Sequence, residues 1–341
     1  MRVAIVNDVA LAREVLRRII LSTPEHSVAW VAENGEMAVK FALQDPPDII
    51  LMDLVMPVMD GVEATRRIMM ERPCPILLVT SSVSGNFNMV YRAMGHGGMD
   101  AVNTPTLGPA GEVCDSEGIL ARLAKISRSK SPTLAISAGQ EVSQTQTRPL
   151  ATNRNAPVIA IGASTGGPAA LVKILSKLPP SLPASVIIVQ HIGADFAPSL
   201  ASWLQDQCAL PVRVAKTGDI PKVGEVLLAG TNDHLIVQGD GRLSHTAEPV
   251  SYPYRPSVDL LFSSLAKNEA EPGIAVLLTG MGNDGAQGLW QLRMRGWHTI
   301  AQDQASSVVY GMPKAAAERH AACEILPLEL IPAALLRQLK I

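Results

Sequence analysis

The stretch Pro-Val-Ile-Ala-Ile-Gly-Ala-Ser-Thr-Gly-Gly-Pro, residues 157–168, predicts a buried strand that turns sharply into a helix. Val158–Ile161 is short, apolar and β-branched, and the run 169–178 has the period of a helix. Between them, residues 162–166 fit the G-x-S-x-G turn that exposes a serine hydroxyl above a sheet. The glycines let other backbone approach closely, and the free amides of the helix start can support negative charge on an attacked carbonyl oxygen. The pattern predicts that Ser164 is a nucleophile for acyl transfer.

Glycine-rich turns between a strand and a helix also bind phosphates or only allow tight packing, so two alternatives stay open for this turn. A phosphate site is the weaker one, because no Gly-Lys-Ser/Thr motif follows. The next expected strand, Val186–Ile192, contains Gln190-His191 at its end and lacks the acidic residue of a dinucleotide site. The nucleophile hypothesis therefore needs a base and an acid elsewhere in the chain.

Length and charge limit the classes of protein to which the chain can belong. Its 341 residues exceed a usual single domain, and an apolar fraction of 47% can supply more than one core, so we expect two domains. The net charge of −2 comes without a dense Lys/Arg tract, which predicts no nucleic-acid partner. Residues 1–6 look like a strand and not a signal peptide, and no apolar run approaches about 18 residues. We therefore expect a cytoplasmic protein without direct membrane insertion.

A polar segment divides the chain. Residues 125–155 are rich in Ser, Thr, Gln, Arg and Asn and have no sustained apolar period, which is typical of a linker. We expect one domain over residues 1–124 and a second over residues 156–341. The strands predicted in the first are Val3–Val6, Val28–Ala32, Ile49–Asp53, Ile76–Thr80 and, more weakly, Ala101–Val102. Those predicted in the second are Val158–Ile161, Val186–Gln190, Val212–Ala215, Ile274–Thr279 and Thr299–Ala301, with a hairpin over Leu235–Thr246.

In both halves these strands alternate with helical stretches, so both domains are predicted to be doubly wound α/β folds. The second is expected to have a Rossmann-like, mainly parallel sheet.

Acidic and hydroxyl side chains stand at three strand ends of the first domain. Asp8 follows the first strand, Asp53 closes the third, and Thr80 ends the fourth. The carboxyl ends of parallel strands meet at one sheet edge, so Asp8 and Asp53 could hold Mg²⁺ there. Asp53 could then attack a phosphoryl group and form an acyl phosphate, to which Thr80 could donate its hydroxyl. The alternative is that the aspartates only form turns or cap helices.

From Arg2 to about Leu123 the chain resembles a two-component receiver domain. The resemblance is carried, in the expected order, by Val6-Asn7-Asp8, Leu51–Gly61 and Val79-Thr80-Ser81. It implies a flavodoxin-like fold with Asp53 as the phosphoacceptor and Thr80 as the switch hydroxyl. It also implies that the Mg²⁺ ligands are Asp8, Asp53 and the backbone carbonyl of Val55.

Two residues depart from the receiver pattern. Asn7 stands where the family usually has a second acidic residue, and Thr104 stands where a lysine normally contacts the phosphate. The loss of a carboxylate should weaken metal binding, and the loss of an ammonium removes a point charge from the phosphorylated state. Phosphorylation is therefore expected to be slow, short-lived or differently coupled.

His191 is the base that the order of strands favours for Ser164. Its strand follows the Ser164 helix directly, so a right-handed crossover places both side chains at the same sheet edge. A satisfied core or surface position is the simpler interpretation for the other histidines of the second domain, which are His234, His245, His298 and His320.

Asp284 is the candidate acid, because the strand Ile274–Thr279 runs into a glycine-rich turn that contains it. A carboxylate there could hold the His191 ring in the required tautomer and stabilise it once protonated. The alternative role of Asp284 is a helix N-cap.

Backbone amides beside these residues are candidates for an oxyanion site. Met281 and Gly282 lie in the same turn as Asp284, and Thr165 directly follows the serine. Free amides at such turns can stabilise the negative oxygen of a tetrahedral intermediate.

The order Ser164, His191, Asp284 differs from the order Ser, acid, His of α/β-hydrolases, so the serine turn does not assign that fold. From about Pro157 to the C-terminus the chain instead resembles the catalytic domain of the chemotaxis protein-glutamate methylesterases, the CheB family. The resemblance is carried by Ile161–Pro168, Val189–Ile192 and Leu278–Gly285, and further by Leu228–Gly230, Asp233-His234, Arg255–Asp259 and Gln304–Pro313.

This resemblance implies a phosphorylation-regulated serine hydrolase with Ser164, His191 and Asp284 as its triad. It would remove γ-methyl esters from glutamates on helices of methyl-accepting chemoreceptors and also deamidate receptor glutamines. A chemosensory histidine kinase would be the phosphodonor, with Mg²⁺ for receiver phosphorylation and no cofactor for the esterase reaction. The unphosphorylated receiver would cover the Ser164 cleft, and phosphorylation of Asp53 would open it, which gives adaptation in a chemosensory pathway.

Two questions stay open at this point. The chain could be a catalytically weak docking protein of a chemosensory array, although the retained triad argues against it. The departures at Asn7 and Thr104 also resemble Wsp-type, surface-sensing methylesterases, which implies an output other than flagellar steering.

Overall fold

The computed structural model describes residues 1–82, 85–108, 112–114, 116–129, 157–267 and 272–341. The elements of the first domain are β1 (Arg2–Val6), α1 (Ala10–Leu21), β2 (Ser27–Ala32), α2 (Gly35–Gln44), β3 (Ile49–Met52), α3 (Gly61–Glu71), β4 (Ile76–Thr80), α4 (Phe87–Gly95), β5 (Asp100–Asn103), β6 (Thr106–Leu107), β7 (Val113–Cys114) and α5 (Ser116–Ser129).

The first sheet is parallel and has the strand order β2-β1-β3-β4-β5, while β6 and β7 form a short antiparallel pair. β3 and β4 are buried throughout, as continuous apolar strands covered on both faces should be. Asp8 lies just beyond β1, Asp53 directly follows β3, and Thr80 ends β4. The predicted doubly wound, flavodoxin-like fold is confirmed, and these three residues lie at one edge of the sheet.

The second domain continues with β8 (Val158–Ala163), α6 (Gly167–Leu175), β9 (Ser185–Gln190), α7 (Ala197–Gln205), β10 (Val212–Val214), β11 (Val226–Leu228), β12 (His234–Val237), β13 (Leu243–Thr246), α8 (Val258–Lys267), β14 (Ile274–Leu277), α9 (Ala286–Met294), β15 (His298–Gln302), α10 (Met312–Glu318), β16 (Glu324–Leu326) and α11 (Ile331–Gln338). One-turn 3₁₀ helices precede α7 and α11.

The second sheet is also parallel, in the order β10-β11-β9-β8-β14-β15-β16, and β12 and β13 form the expected hairpin. β8 stands where the strand order changes direction, because β9 pairs with one of its edges and β14 with the other. Open α/β sheets bind their ligands at the carboxyl end of such a switch point. Ser164 follows β8 there, and His191 follows β9, so the crossover argument for these two residues is correct.

The boundary between the domains falls partly on a helix. α5 continues to Ser129, so residues 125–129 of the expected linker are helical. The other residues of that segment, 130–155, and the first residue of the expected second domain lie outside the described residues. The boundaries at 124 and 156 therefore stay predictions.

The two domains pack through α4, which contacts α6 and α7. The Tyr91 side chain on α4 is fully buried, and its hydroxyl donates to the Phe196 carbonyl oxygen at 3.0 Å and lies 2.7 Å from Ser199 Oγ. The Tyr91 ring centroid lies 5.1 Å from that of Trp203. One continuous cluster of buried apolar side chains therefore extends from the first sheet into the second domain.

The strand that carries Ser164 is held closely against α8, which gives a test of the fold. A Cβ at Gly162 would lie 2.2 Å from Val258 Cγ1. We expect Gly162→Ala to lower the free energy of unfolding by about 1–3 kcal/mol, the usual cost of overpacking a core. Gly239→Ala is the matched control, because nothing lies within 4 Å of a Cβ there. Urea denaturation measures both variants, and equal midpoints would show that the contact at Gly162 relaxes without cost.

Candidate active site

The serine turn is held between the two strands that flank β8. The Ser164 amide donates to the Thr279 carbonyl oxygen beyond β14, and Gln190 Nε2 at the end of β9 donates to the Ser164 carbonyl oxygen at 2.9 Å. Gly166 has a φ of 81°, a left-handed conformation that glycine adopts without strain, and α6 begins at the next residue. These bonds fix the backbone of the turn, and the Ser164 side chain is partly exposed.

His191 and Asp284 form a buried hydrogen-bonded pair beside this turn. His191 Nε2 lies 2.7 Å from Asp284 Oδ2, and the two residues are 9% and 2% exposed. Since a carboxylate only accepts hydrogen bonds, Nε2 carries the proton and Nδ1 is left as the basic nitrogen. Nδ1 is buried and has no hydrogen-bond partner among the described residues. The ring is therefore fixed in the tautomer that a general base needs.

The start of α8 stabilises the charge of Asp284. Asp284 Oδ2 accepts from the Val258 amide at 2.7 Å, and Oδ1 accepts from Ser257 Oγ at 2.8 Å and from the Asp259 amide at 3.0 Å. Burial alone would raise the pKa of Asp284, but the hydrogen bond from His191 and the helix amides outweigh it and hold the pKa below its ordinary value. The positive end of the α8 dipole acts in the same direction. Asp284 is thus an ionised group at the N-terminus of a neighbouring helix.

The Tyr254 ring packs against one face of the His191 imidazole. The two rings stack with centroids 4.6 Å apart and an angle of 3° between the planes. Together with the bond to Asp284, this contact leaves the His191 ring little freedom to rotate. Tyr254 therefore helps to orient the imidazole through ring stacking.

Ser164 and His191 line one cavity of about 220 Å³. The candidates for the oxyanion site differ in position: Thr165 and Met281 line this cavity, whereas Gly282 is exposed and does not. The amides of Thr165 and Met281 make no backbone hydrogen bond to the described residues, while the Ser164 amide is already used. Of the three predicted oxyanion residues, Thr165 and Met281 are therefore the two that line the cavity, and their amides have no backbone acceptor among the described residues.

The receiver forms one wall of the same cavity. Met99, Asp100, Ala121 and Arg122 line it from the first domain. Arg122 Nε donates to Asp100 Oδ2 at 2.9 Å, and a Cβ at Gly193 would lie 3.3 Å from the terminal nitrogen Nη2 of Arg122. The site is therefore partly covered in this structure.

Sequence analysis missed the residues that support the triad. Ser257 and Asp259 lie in a stretch that carried the family resemblance, but nothing in the pattern placed them beneath Asp284. Asp259 is itself buried; it accepts from Tyr252 Oη at 2.9 Å and from the Gly288 amide at 2.6 Å. Burial and the nearby charge of Asp284 raise the pKa of Asp259 to about 7. Asp259 therefore supports the acid through its backbone amide, while its own carboxylate is held by Tyr252 and Gly288, and only the three-dimensional contacts reveal this.

The candidate phosphorylation site lies at the edge of the first sheet. Asp53 is 8% exposed; its Oδ1 accepts from the Leu54 amide at 2.7 Å, and its Oδ2 accepts from Asn7 Nδ2 at 3.0 Å. Asn7 Oδ1 is also occupied, because it accepts from the Val9 amide. Asn7 therefore supports Asp53 with its amide nitrogen, while its oxygen accepts from the backbone of Val9.

The oxygen atoms near Asp53 fit Mg²⁺, which prefers carboxylate and carbonyl oxygens. The Asp8 side chain is exposed beside Asp53 and close enough to raise the pKa of Asp53 by charge repulsion. Val55, whose carbonyl is the third expected ligand, follows Asp53 by two residues and is 52% exposed. Across the described residues, no group of three or more His, Cys, Asp and Glu side chains could hold a metal ion. This donor set is therefore less charged than a three-carboxylate site.

Thr80 is hydrogen-bonded to the start of α4. Thr104, which follows the neighbouring strand, lacks the charge of a lysine. Thr80 is 1% exposed, and its Oγ1 accepts from Asn86 Nδ2, at the start of α4, at 3.1 Å. The Thr104 amide donates to the Thr80 carbonyl oxygen, but its short, neutral side chain has no ammonium to offer a phosphoryl group.

Burial of Asp53 predicts a pH-dependent stability of the metal-free chain. Burial is the largest cause that raises its pKa from 3.8 to about 6. The folded state then holds this proton more tightly than the unfolded state, so stability is lost as pH rises from about 4 to about 6. We expect Asp53→Asn, in excess chelator, to be more stable than the wild type at pH 7 and to lose this advantage near pH 4. Denaturant midpoints at both values measure it, and an equal difference at both would contradict the assignment.

Comparison with known proteins identifies both halves of the chain. The family model for the response regulator receiver domain matches residues 3–107, and that for CheB methylesterase matches residues 159–335. No helix of the described residues has the length and apolar character to cross a membrane.

Full-length relatives and a solved domain structure agree with these matches. The chain is 50% identical over 334 residues to protein-glutamate methylesterase/protein-glutamine glutaminase 4 of Burkholderia thailandensis, which covers 97% of this chain and 95% of the relative. It is 50% identical over 340 residues to the corresponding enzyme of the group 3 operon of Pseudomonas putida, with 97% of each chain covered. The crystal structure of the Thermotoga maritima CheB methylesterase catalytic domain matches with a TM-score of 0.52 and 35% identity over 54% of this chain and 99% of that one. The chain belongs to the CheB methylesterase family and carries a response-regulator receiver domain ahead of the catalytic domain.

Proposed function

We propose that Ser164, His191 and Asp284 are the catalytic triad of a protein-glutamate methylesterase that is also a protein-glutamine glutaminase. The activity follows from the near-complete coverage by relatives that bear this name at about half identity. The observation that carries the residue assignment is the His191–Asp284 pair, 2.7 Å apart, in a cavity that Ser164 also lines. A docking protein would have no need of a buried, ionised acid that fixes a histidine tautomer.

The first half of the reaction forms an acyl-enzyme. His191 Nδ1 takes the proton of Ser164 Oγ as this oxygen attacks the γ-carbonyl carbon of a methylated glutamate. The negative oxygen of the tetrahedral intermediate is stabilised by the amides of Thr165 and Met281. Asp284 balances the charge of the imidazolium, which then gives its proton to the leaving methoxide, and methanol departs.

The second half releases the product. His191 Nδ1 takes a proton from water as its oxygen attacks the acyl carbon, and the imidazolium returns that proton to Ser164 Oγ when the ester bond breaks. The product is a glutamate carboxylate. With a glutamine substrate the same steps release ammonia in place of methanol, because only the leaving group differs.

The receiver supports phosphorylation of Asp53 by a histidine kinase of the same pathway. Asp8, Asp53 and the Val55 carbonyl would hold Mg²⁺, which offsets the charge of the incoming phosphoryl group. Asp53 supplies the attacking carboxylate oxygen, and the Thr80 hydroxyl stabilises the acyl phosphate. Asn7 and Thr104 stand where receivers usually carry charged residues, so this state is less stabilised here than in receivers that keep them.

We assign the receiver the role of a gate over the Ser164 cavity. A hydrogen-bonded route supports this role: Thr80 bonds Asn86 at the start of α4, and Tyr91 on the same helix bonds Phe196 and Ser199 of the catalytic domain. A Thr80 hydroxyl drawn toward phosphorylated Asp53 would release Asn86 and loosen α4 from its partner helices. The cavity would then open to the substrate.

Methyl-accepting chemoreceptors are the proposed substrate, and their methylated helices place the enzyme in the cytoplasm. Each ester that is hydrolysed restores one negative charge on a receptor helix. Such a charge changes the packing equilibrium that controls an associated kinase, so the reaction gives adaptation by negative feedback.

Methanol release from a methylated receptor fragment tests the triad. We expect Ser164→Ala to abolish release and Asp284→Asn to lower kcat by about 10³–10⁴-fold, because the imidazole loses the acid that fixes its tautomer. Ser164→Ala should keep the far-UV and thermal-unfolding profile of the wild type. Asp284→Asn should keep the far-UV profile but unfold at a lower temperature, because its amide nitrogen faces a backbone amide that can only donate. An acyl-enzyme formed at an undiminished rate by Ser164→Ala would remove Ser164 from the proposed role.

Tyr91→Phe tests the gate, because it removes only the hydroxyl that bonds the second domain. The loss of one buried hydrogen bond of about 1 kcal/mol should raise the activity of the unphosphorylated chain by about fivefold. The activity after treatment with a small phosphodonor should be unchanged. Ser199→Ala removes the partner hydroxyl, so Tyr91→Phe should have a smaller effect in that background. An unchanged unphosphorylated activity in Tyr91→Phe would show that this contact does not hold the gate closed.

A further inference from the structure

One cation of the catalytic cavity has no part in the proposed reaction. Among the described residues of the catalytic domain that line the cavity, Arg255 is the one with a permanent charge. The triad and the oxyanion amides account for the steps at the ester without it. The ester and amide groups of the substrates are neutral, so neither calls for a cation.

Arg255 is held in place but has donors to spare. One terminal nitrogen, Nη2, contacts Asp233 Oδ1 at 3.2 Å, a single and rather long ion-pair contact. Nε is buried without a partner, and the other terminal nitrogen, Nη1, has no hydrogen bond to any described residue. The Arg255 side chain is 29% exposed. A guanidinium presents five N–H donors, so this one is fixed by Asp233 and is not saturated by it.

The position of Arg255 ties it to the reacting groups. It follows Tyr254, whose ring stacks on His191 at 4.6 Å, and both residues line the cavity together with Ser164. Asp233 is not among the residues that line the cavity, so the carboxylate that anchors the guanidinium does not occupy the space that a substrate would enter. A substrate segment that presents its ester to Ser164 therefore passes close to Arg255.

We propose that Arg255 is a specificity-determining residue that binds a carboxylate of the substrate helix next to the methylated or amidated side chain. An arginine with free donors favours carboxylates, because the two planar groups can share parallel hydrogen bonds. The inference rests on the proposed methylesterase function and adds to it which receptor sites are preferred: those with an acidic neighbour about one helical turn from the reacting side chain. In this structure, where the receiver partly covers the site, a carboxylate of the receiver, that of Asp100, belongs to a residue that lines the same cavity.

Paired peptides test the proposal. Two helical peptides carry one γ-methyl glutamate each and differ only in a glutamate or a glutamine one turn away. The full chain, activated with a small phosphodonor, should hydrolyse the acidic peptide with a kcat/KM about tenfold higher, the effect of one charge-assisted hydrogen bond. The preference should appear mainly in KM and should weaken at high salt.

Variants separate the subsite from a general effect of charge. Arg255→Gln should remove the preference by slowing only the acidic peptide, and Arg255→Lys should retain part of it. Arg242→Gln, which removes an exposed arginine of the hairpin outside the cavity, should keep the preference. If Arg255→Gln is unstable, the Lys variant and the salt dependence of the wild type decide.

Other outcomes would overturn the proposal. Equal rates for both peptides with the wild-type chain, or an equal loss for both in Arg255→Gln, would leave no role for Arg255 in recognition. The product of the glutamine-containing peptide, which has lost its methyl ester, is also added as an inhibitor of the wild-type chain and of Arg255→Gln. Inhibition of the wild type that Arg255→Gln relieves would show that Arg255 binds the product's own carboxylate, and it would overturn the proposal that Arg255 binds a neighbouring one. If neither peptide yields Ser164-dependent methanol, the methylesterase assignment fails and not the subsite alone.

Discussion

The buried charge of Asp284 is the constraint on which the catalytic end of this molecule depends. A carboxylate that is 2% exposed is tolerated only if hydrogen bonds replace the water it has lost. Asp284 obtains them from His191 on one side and from Ser257 and the first amides of α8 on the other. The acid therefore joins the end of β9 to the start of α8, and neither can move without leaving a charge uncompensated.

The same arrangement has a chemical consequence. When His191 takes a proton, the pair changes from an anion to a neutral ion pair in a site with little water, where opposite charges attract strongly. Asp259, tied to Tyr252 and Gly288 and with a pKa near 7, lies behind the pair and adds a second carboxylate to its surroundings. Rigid donors and a fixed ring let the protonated state form without rearrangement of the protein, which is the main benefit of a preorganised site.

The sequence carried enough information for the two sheets, and for the positions of Ser164 and His191, because these depend on strand order and crossover handedness. β8 and β9 follow one another around a helix, so their carboxyl ends had to meet. Asp284 could be nominated by the same logic, since β14 lies on the other side of β8. The support of the acid could not be predicted, because Ser257 and Val258 contact it across 26 or more residues through a helix start, which leaves no local pattern. Tyr254, Arg255 and the interdomain contact of Tyr91 were out of reach for the same reason.

The shared core between the domains limits how the receiver can act. Movement of α4 away from the catalytic domain would expose Tyr91 and the apolar side chains it packs against, including Phe196 and Trp203, at a cost of roughly 25 cal/mol for each Å² of apolar surface. In the proposed gate, contacts of the phosphoryl group would supply this energy. The neutral Thr104 removes a charge from those contacts, and the neutral Asn7 removes one from the proposed Mg²⁺ site, so a phosphorylated receiver of this chain would have less to offset the exposed surface. A substrate helix that packed against part of that surface would lower the cost, and opening would then depend on receptor as well as on Asp53. The proposed gate would thus respond to both inputs, with receptor binding carrying a larger share than in receivers that keep both charged residues.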